Sequence, residues 1–416
     1  MKFEAEKSHR LRISKTLIVC AICASMVWAS AGFSQDRGHA RQTRGHTTKD
    51  AISITADSTF GPKENIIPNF NSPLPKRDNG NGELLWSYFD ENAVAERVAI
   101  SDDGEWLAVS YILNEERLEF RNANDGEVAF SYPVNDASGY VDVSHDGSFI
   151  AYGAHNDLWL FSREEGDQPI WNFDLGDLIA GPMQFTADGN FLIATGIDPE
   201  RETNIAWCFE TGEDEPVWTF ETEADLGFGW YGISLAEEAD RIVLTQKYRL
   251  FVLTLSEGEI LWSEPTFNSE SAVAISADGS IIAIPSLSGR LRVFGQGPDG
   301  EGYTQLWHYS FRDARSSWVT CCAISPNGEY IAAGTLDFFD DHAEGRLAMF
   351  DSFGDGAPIW IADPAGDEIS RIVFNQAGTI VAASSWGDFE HEGGDLFIHE
   401  VHNREPFYQL VTPGSM

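Results

Sequence analysis

Lysine is nearly missing from most of this 416-residue chain: between residues 83 and 416, Lys247 is the only one. Basic residues as a class are scarce there, 15 against 59 acidic, a net charge of −44. A surface so short of positive charge holds neither a nucleic-acid backbone nor an anionic membrane, which excludes both as electrostatic partners. The same imbalance fits either a protein of a saline habitat, where salt screens carboxylate repulsion, or an ordinary acidic exported protein. Cysteine is scarce too. Of five in the chain, only Cys208, Cys321 and Cys322 lie beyond residue 31. An odd number without a spaced framework excludes a disulfide-stapled scaffold. Neighbours on a strand point to opposite faces, so Cys321 and Cys322 are expected as small buried apolar residues. No Gly-x-Ser-x-Gly elbow is present, and no other catalytic constellation stands out.

Long apolar runs are absent except at the N-terminus. There a basic stretch, Met1 to Lys15, precedes the apolar run Thr16 to Met26, and Ala29-Ser-Ala31 supplies small residues at a cleavage position. Residues 1–31 are expected to be a Sec-type signal peptide, giving a secreted or periplasmic protein with no membrane span in its mature form. An uncleaved anchor is the alternative, since apolar character extends to Phe33. Cys20 and Cys23 lack the small preceding residue of a lipoprotein box. Residues 32–82 are polar, rich in Gly, Asn and Pro, and are expected to be a flexible linker.

What fills residues 83–416 is one phrase repeated seven times: a short alternating apolar strand, a Ser-x-Asp-Gly-like turn, and a second apolar strand. Val98-Ala-Ile-Ser-Asp-Asp-Gly104 followed by Trp106-Leu-Ala-Val-Ser110 is the first copy. The turn glycines Gly104, Gly147, Gly189, Gly279, Gly328 and Gly378 are separated by 43, 42, 90, 49 and 50 residues, and the longest interval holds a degenerate copy ending at Asp240. Asp-Gly and Asn-Gly are hairpin residues, because φ > 0 is cheap for Gly and tolerable for Asn or Asp. A third strand follows in each unit, such as Leu158-Trp-Leu-Phe161. A fourth carries an aromatic: Phe130, Trp171, Trp218, Trp262, Trp307, Trp360 and Phe407, with Trp86 ahead of the first unit. The period is that of a propeller blade, so the fold class is all-β, a seven-bladed β-propeller of four-stranded antiparallel blades. The repeated aromatics are expected between blades, given the area an indole buries. Eight aromatic strands against seven first strands imply that one terminal strand completes a blade begun at the opposite end, and Trp86 is expected to join the last blade.

The units resemble secreted bacterial and archaeal WD-repeat and quinoprotein-like (PQQ-like) propeller proteins. The resemblance is carried by Leu84-Leu-Trp-Ser-Tyr88 before Val98-Ala-Ile-Ser101 and by Leu261-Trp-Ser263 before Val273-Ala-Ile-Ser276, and it covers residues 83 to 411. It implies a binding propeller. The chain departs from it in having no Trp-Asp dipeptide, no Gly-His opening and no full set of quinoprotein docking motifs.

Two loops between second and third strands share a pattern of Asp-Phe, acids, His and glycine. One, Asp337-Phe-Phe-Asp-Asp-His-Ala-Glu-Gly345, offers Asp337, Asp340, Asp341, His342 and Glu344; the other, Asp388-Phe-Glu-His-Glu-Gly-Gly-Asp395, offers Asp388, Glu390, His391 and Glu392. Equivalent loops emerge on one face, so these nine are the candidate metal ligands. Their oxygens favour Ca2+, and the imidazoles permit zinc or another divalent cation. His155 sits in an equivalent loop, and His145 in a turn on the opposite side. Two functions remain open. The first is an exported monomeric binding or scaffold module for a protein or glycan partner. The second is a metal-dependent propeller hydrolase, lactonase- or esterase-like, with a cation at the loop face.

Overall fold

The computed structural model describes residues 93–411 apart from short loop stretches, chiefly 135–138, 224–229, 363–367 and 386–394. The expected signal peptide and linker, and Trp86, lie outside the described residues. The repeated phrase becomes seven antiparallel sheets, each with its four strands, here a to d, in chain order. Strands a are Ala93–Ile100, Tyr140–Val143, Ile179–Phe185, Gly232–Ala236, Ala274–Ile275, Ser316–Ile324 and Ile369–Phe374. From the first blade to the last each touches the next, so they are innermost. In the sixth blade a two-residue strand, Ala343–Glu344, is added on the loop between b and c. Helix among the described residues is limited to one 3-10 turn, Glu237–Ala239, and none is long and apolar enough to cross a membrane.

The a–b turns show why Ser-x-Asp-Gly recurs. Ser276 Oγ donates to Asp278 (2.7 Å) and accepts from the Ile281 N–H (2.9 Å), so one hydroxyl ties both sides of the hairpin. Thr186 with Asp188 and Phe191, and Ser325 with Asn327 and Tyr330, repeat the arrangement. Gly279 sits at φ +70°, where a side chain would be strained. The degenerate fourth copy reaches the same end with Asp240 at φ 53° after the 3-10 turn. Hydrogen bonds from the Ser101 hydroxyl and the Glu105 N–H hold the Asp103 carboxyl below its ordinary range; Thr186 and the Asn190 N–H do the same for Asp188.

Outer aromatics join the blades, as their repetition predicts. The Trp218 indole donates to the Leu255 carbonyl of the next blade at 2.9 Å, Trp307 to Ser352 at 2.8 Å and Trp360 to Val401 at 2.7 Å. Outer indoles also lie against a ring from the next blade's strand c: Trp171 against Phe209, Trp307 against Phe350, Trp360 against His399. Six blades carry a β-bulge at the same place, immediately after the residue that pairs with this aromatic. The residue before the indole is then turned outward, which exposes Ile170, Val217, Leu261, Leu306 and Ile359 on the outer strands.

Ring closure differs from the expectation of a shared strand. The last blade draws all four strands, Ile369–Phe374, Ile380–Ser385, Asp395–Glu400 and Tyr408–Val411, from one stretch. A short c–d hairpin costs less closure entropy than bringing in a strand from the far end of the chain. Tyr408 pairs with Ile398 and takes the outer aromatic's register, while Phe407 lies outside the described residues. At the seam between last and first blades, the first blade's Arg121, ion-paired to Glu119, occupies the place held elsewhere by Phe161, Phe209, Phe294 and Phe350. Val98 and Ile100 on one side and Val373 on the other remain 60%, 55% and 60% exposed.

The three cysteines are buried and free. Cys321 Sγ lies 3.2 Å from the Ile369 carbonyl and Cys322 Sγ 3.6 Å from that of Ala272, so the neighbours serve opposite blade interfaces. Burial pushes Cys208 and Cys321 up to about 12 and raises Cys322 further, leaving three inert thiols.

Candidate functional site

Loops b–c and the starts of strands a share one face of the propeller, and the sixth blade carries the most chemistry there. Strand b, Tyr330–Phe338, pairs with strand a, Ser316–Ile324, in a register that sets Phe338 beside Trp318; their rings meet edge to face at 4.9 Å. Past the end of strand b, Phe339 stacks on the His342 ring at 4.7 Å and 7°, and His342 Nε2 lies 3.6 Å from Glu344 Oε2. Trp318, Phe338 and Phe339 are half-buried and His342 is exposed, so aromatic faces and a carboxylate stand together at the surface.

The nine candidate ligands divide. Asp337 is fully buried, and its Oδ2 accepts from Arg346 Nε (2.7 Å) and Thr335 Oγ1 (2.6 Å). An ion pair of this kind anchors the loop's two ends, and removal of one partner strands a buried charge. His342 and Glu344 are brought together. Asp340, Asp341, Asp388, Glu390, His391 and Glu392 lie outside the described residues, as does His155. Among the described residues no group of three or more His, Cys, Asp or Glu side chains is placed to hold a metal ion. His145 is exposed on the a–b turn side, within electrostatic reach of Asp103.

The inner strands carry a second group. Arg97 lies with its guanidinium 4.8 Å from the centre of the Tyr140 ring, across the first and second blades. Arg371, at the same repeat position in the last blade, remains exposed to solvent yet is walled by protein. That low-dielectric surround lowers its pKa, and the charge of Arg97 lowers it further, with Cys321, Asp142 and Tyr140 also in reach. Asp142 Oδ2 accepts from the Phe185 N–H at 2.7 Å, stitching the second blade to the third. Equivalent positions elsewhere hold Pro182, Gly232 and Ala272. The sequence reading missed the aromatic group and the two arginines; the signal for the arginines is the departure from the repeat at the residue immediately before Val98 and before Ile372.

The WD domain, G-beta repeat family model matches residues 308–339, which run from the outer strand of the fifth blade through strands a and b of the sixth. The fold is that of a WD-repeat β-propeller. Hydrazine synthase of Kuenenia stuttgartiensis aligns with a TM-score of 0.55 and 15% identity, over 77% of this chain and 99% of that one. The β-propeller domain of Myceliophteria thermophila Cps50 (Swd1) aligns with a TM-score of 0.51 and 15% identity, over 70% and 95%. Identity at this level establishes a shared propeller architecture only. Among curated proteins, none matches the sequence.

Proposed function

We propose that the chain is an exported binding module whose propeller presents the sixth-blade loop to a protein partner. The observation that carries this reading is the partly exposed set Trp318, Phe338, Phe339 and His342 beside Glu344. Half-buried aromatics held rigidly by strand ends are the type of residue that anchors interfaces, and the acidic surround selects a basic partner surface. Rigid blades beneath the loop limit the ordering entropy that association costs. Export rests on the apolar N-terminal stretch and Ala29-Ser-Ala31.

The test is affinity capture from the host's extracytoplasmic fraction with the wild type and with Phe339→Ala and Trp318→Ala, followed by direct titration of the purified partner. The reading expects a partner whose affinity falls at least tenfold in Phe339→Ala and whose binding weakens as salt is raised. Equal affinity of wild type and both variants for every captured protein overturns it.

A metal-dependent hydrolase is the second reading, favoured by the approach of His342 to Glu344. It requires a stoichiometric divalent cation. Calcium or zinc added after EDTA treatment at constant ionic strength would then raise Tm saturably, and His342→Ala would abolish the rise.

A further inference from the structure

We propose that the groove between the a–b hairpins of the sixth and seventh blades receives an arginine side chain of a partner protein. Turns a–b and loops b–c sit at opposite ends of strand b, so this surface is distinct from the sixth-blade loop described above. The groove has a volume of about 480 Å3 and is open to solvent. Asn327, Glu329 and Tyr330 of the sixth blade form one wall. Ile380, which begins strand b of the seventh blade, and Glu400 and His402, where its strand c gives way to the c–d turn, form the other.

The repeat itself shows what such a place accepts. Trp106 and Tyr330 hold the same repeat position, each with its N–H bonded to the turn hydroxyl, Ser101 Oγ at 3.0 Å and Ser325 Oγ at 2.9 Å. One blade further on, Arg163 and Val401 correspond in turn, their N–H groups bonded to the carbonyls of Ser148 and Thr379. Between the first and second blades the chain supplies its own cation: the Arg163 guanidinium lies 4.6 Å from the centre of the Trp106 ring. Between the sixth and seventh, Val401 is buried in the apolar cluster around Trp360 instead, and no lysine or arginine is among the described residues that line the groove. The place that a guanidinium fills at one blade interface is thus left open at the other.

Charge and shape select the occupant. Glu329 accepts from Asn327 Nδ2 at 2.9 Å, which orients its carboxylate without neutralising it, and Arg404, beyond the c–d turn, is paired with Glu405 at 3.5 Å. Tyr330 Oη lies 3.3 Å from His402 Nε2 and the two rings meet edge to face at 5.2 Å, which fixes the aromatic wall. A guanidinium set between Glu329 and Glu400 offers its planar N–H fork to carboxylates and its face to the ring of Tyr330. A free small cation gains little from carboxylates that water already screens, whereas an arginine also lays its aliphatic stem along Ala377 and Ile380. The net charge of −44 over residues 83–416 draws basic protein surfaces toward this face.

The experiment is amide nitrogen–proton correlation spectroscopy of the full chain, titrated with the capped peptide acetyl-Gly-Arg-Gly-amide at constant ionic strength. Saturable shifts are expected to concentrate on the backbone amides of Tyr330, Gly378 and His402. The citrulline analogue has the same shape without the charge and should bind about tenfold more weakly. Glu329→Gln combined with Glu400→Gln changes two exposed side chains, should leave the spectrum away from the groove as in the wild type, and should weaken the arginine peptide about fivefold. Glu213→Gln combined with Glu257→Gln, exposed acids on the c–d turns of the third and fourth blades, removes as much charge and should leave the affinity unchanged. Methylguanidinium, the head group without its stem, should bind several-fold more weakly than the peptide. Shifts spread evenly over the acidic surface, equal affinity for the citrulline peptide, or an affinity untouched by the Glu329 and Glu400 substitutions overturns the proposal. So does methylguanidinium binding as tightly as the peptide, since the groove would then take a free small cation.

Discussion

His399 illustrates how one residue departs from its repeat while keeping the repeat's geometry. It stands where Phe161, Phe209, Phe294 and Phe350 stand, and its ring lies against Trp360 at 5.2 Å and 22° as Phe350's lies against Trp307. It is fully buried, and its Nδ1 has no hydrogen-bond partner. Burial holds its pKa below the usual imidazole value, against the opposing pull of the Asn403 and Arg404 backbone. The folded state therefore favours neutral His399, and the unfolded chain binds the proton more readily. Stability is complete above the unfolded value, about pH 6.5, and falls as the solution is acidified below it. His399→Phe should remove part of the acid sensitivity that the wild type shows below about pH 6.5, measured as urea midpoint against pH. An unchanged profile would mean that other groups dominate there. Nothing in the local sequence Leu396-Phe-Ile-His-Glu400 distinguishes this histidine from an exposed one; its place in the repeat does.

Turns and strands were the most legible elements, because each is fixed by chemistry within about five residues. Ser276, Asp278 and Gly279 form a turn for reasons contained in the turn itself, and the structure shows all three in those roles. Asp278→Ala removes the acceptor of both the Ser276 hydroxyl and the Ser280 N–H, and should cost about 1–2 kcal/mol in chemical denaturation. Because the Asp278 carboxyl is held below its ordinary range, its contribution is present above about pH 4 and is lost as the pH falls through the folded value. Wild type and variant should therefore converge in stability at low pH. Elements that depend on distant chain were less legible. The c–d bulges were not expected, although an apolar residue directly before each indole, as in Val217-Trp218 and Ile359-Trp360, is the signal that marks them. The pairing of Asp337 with Arg346 could not be read either, since acid-rich loop composition does not tell which carboxylate turns inward.

The whole molecule is joined unevenly. Six blade interfaces carry stacked or edge-packed aromatics in closed apolar clusters, whereas the first blade's seam face contributes Val109 and Tyr111 with Leu107 partly buried among the described residues. Exposed Val98, Ile100 and Val373 lie on the same seam. Opening there loses the least apolar burial, so hydrogen exchange should be fastest in strands Ala93–Ile100 and Ile369–Phe374 among the seven innermost strands. Uniform protection of all seven would contradict this.

Each blade is an uninterrupted run of chain, which bears on how such a molecule is inherited. Duplication of a single gene segment of about 45 codons inserts a complete blade without breaking an existing strand pairing. A copy, once made, shares its indole contact with one neighbour and is otherwise free to diverge. The missing Asp-Gly in the fourth blade, the histidine at residue 399 and the lengthened loop after residue 338 are three such divergences, each tolerated by a frame that was left intact around it.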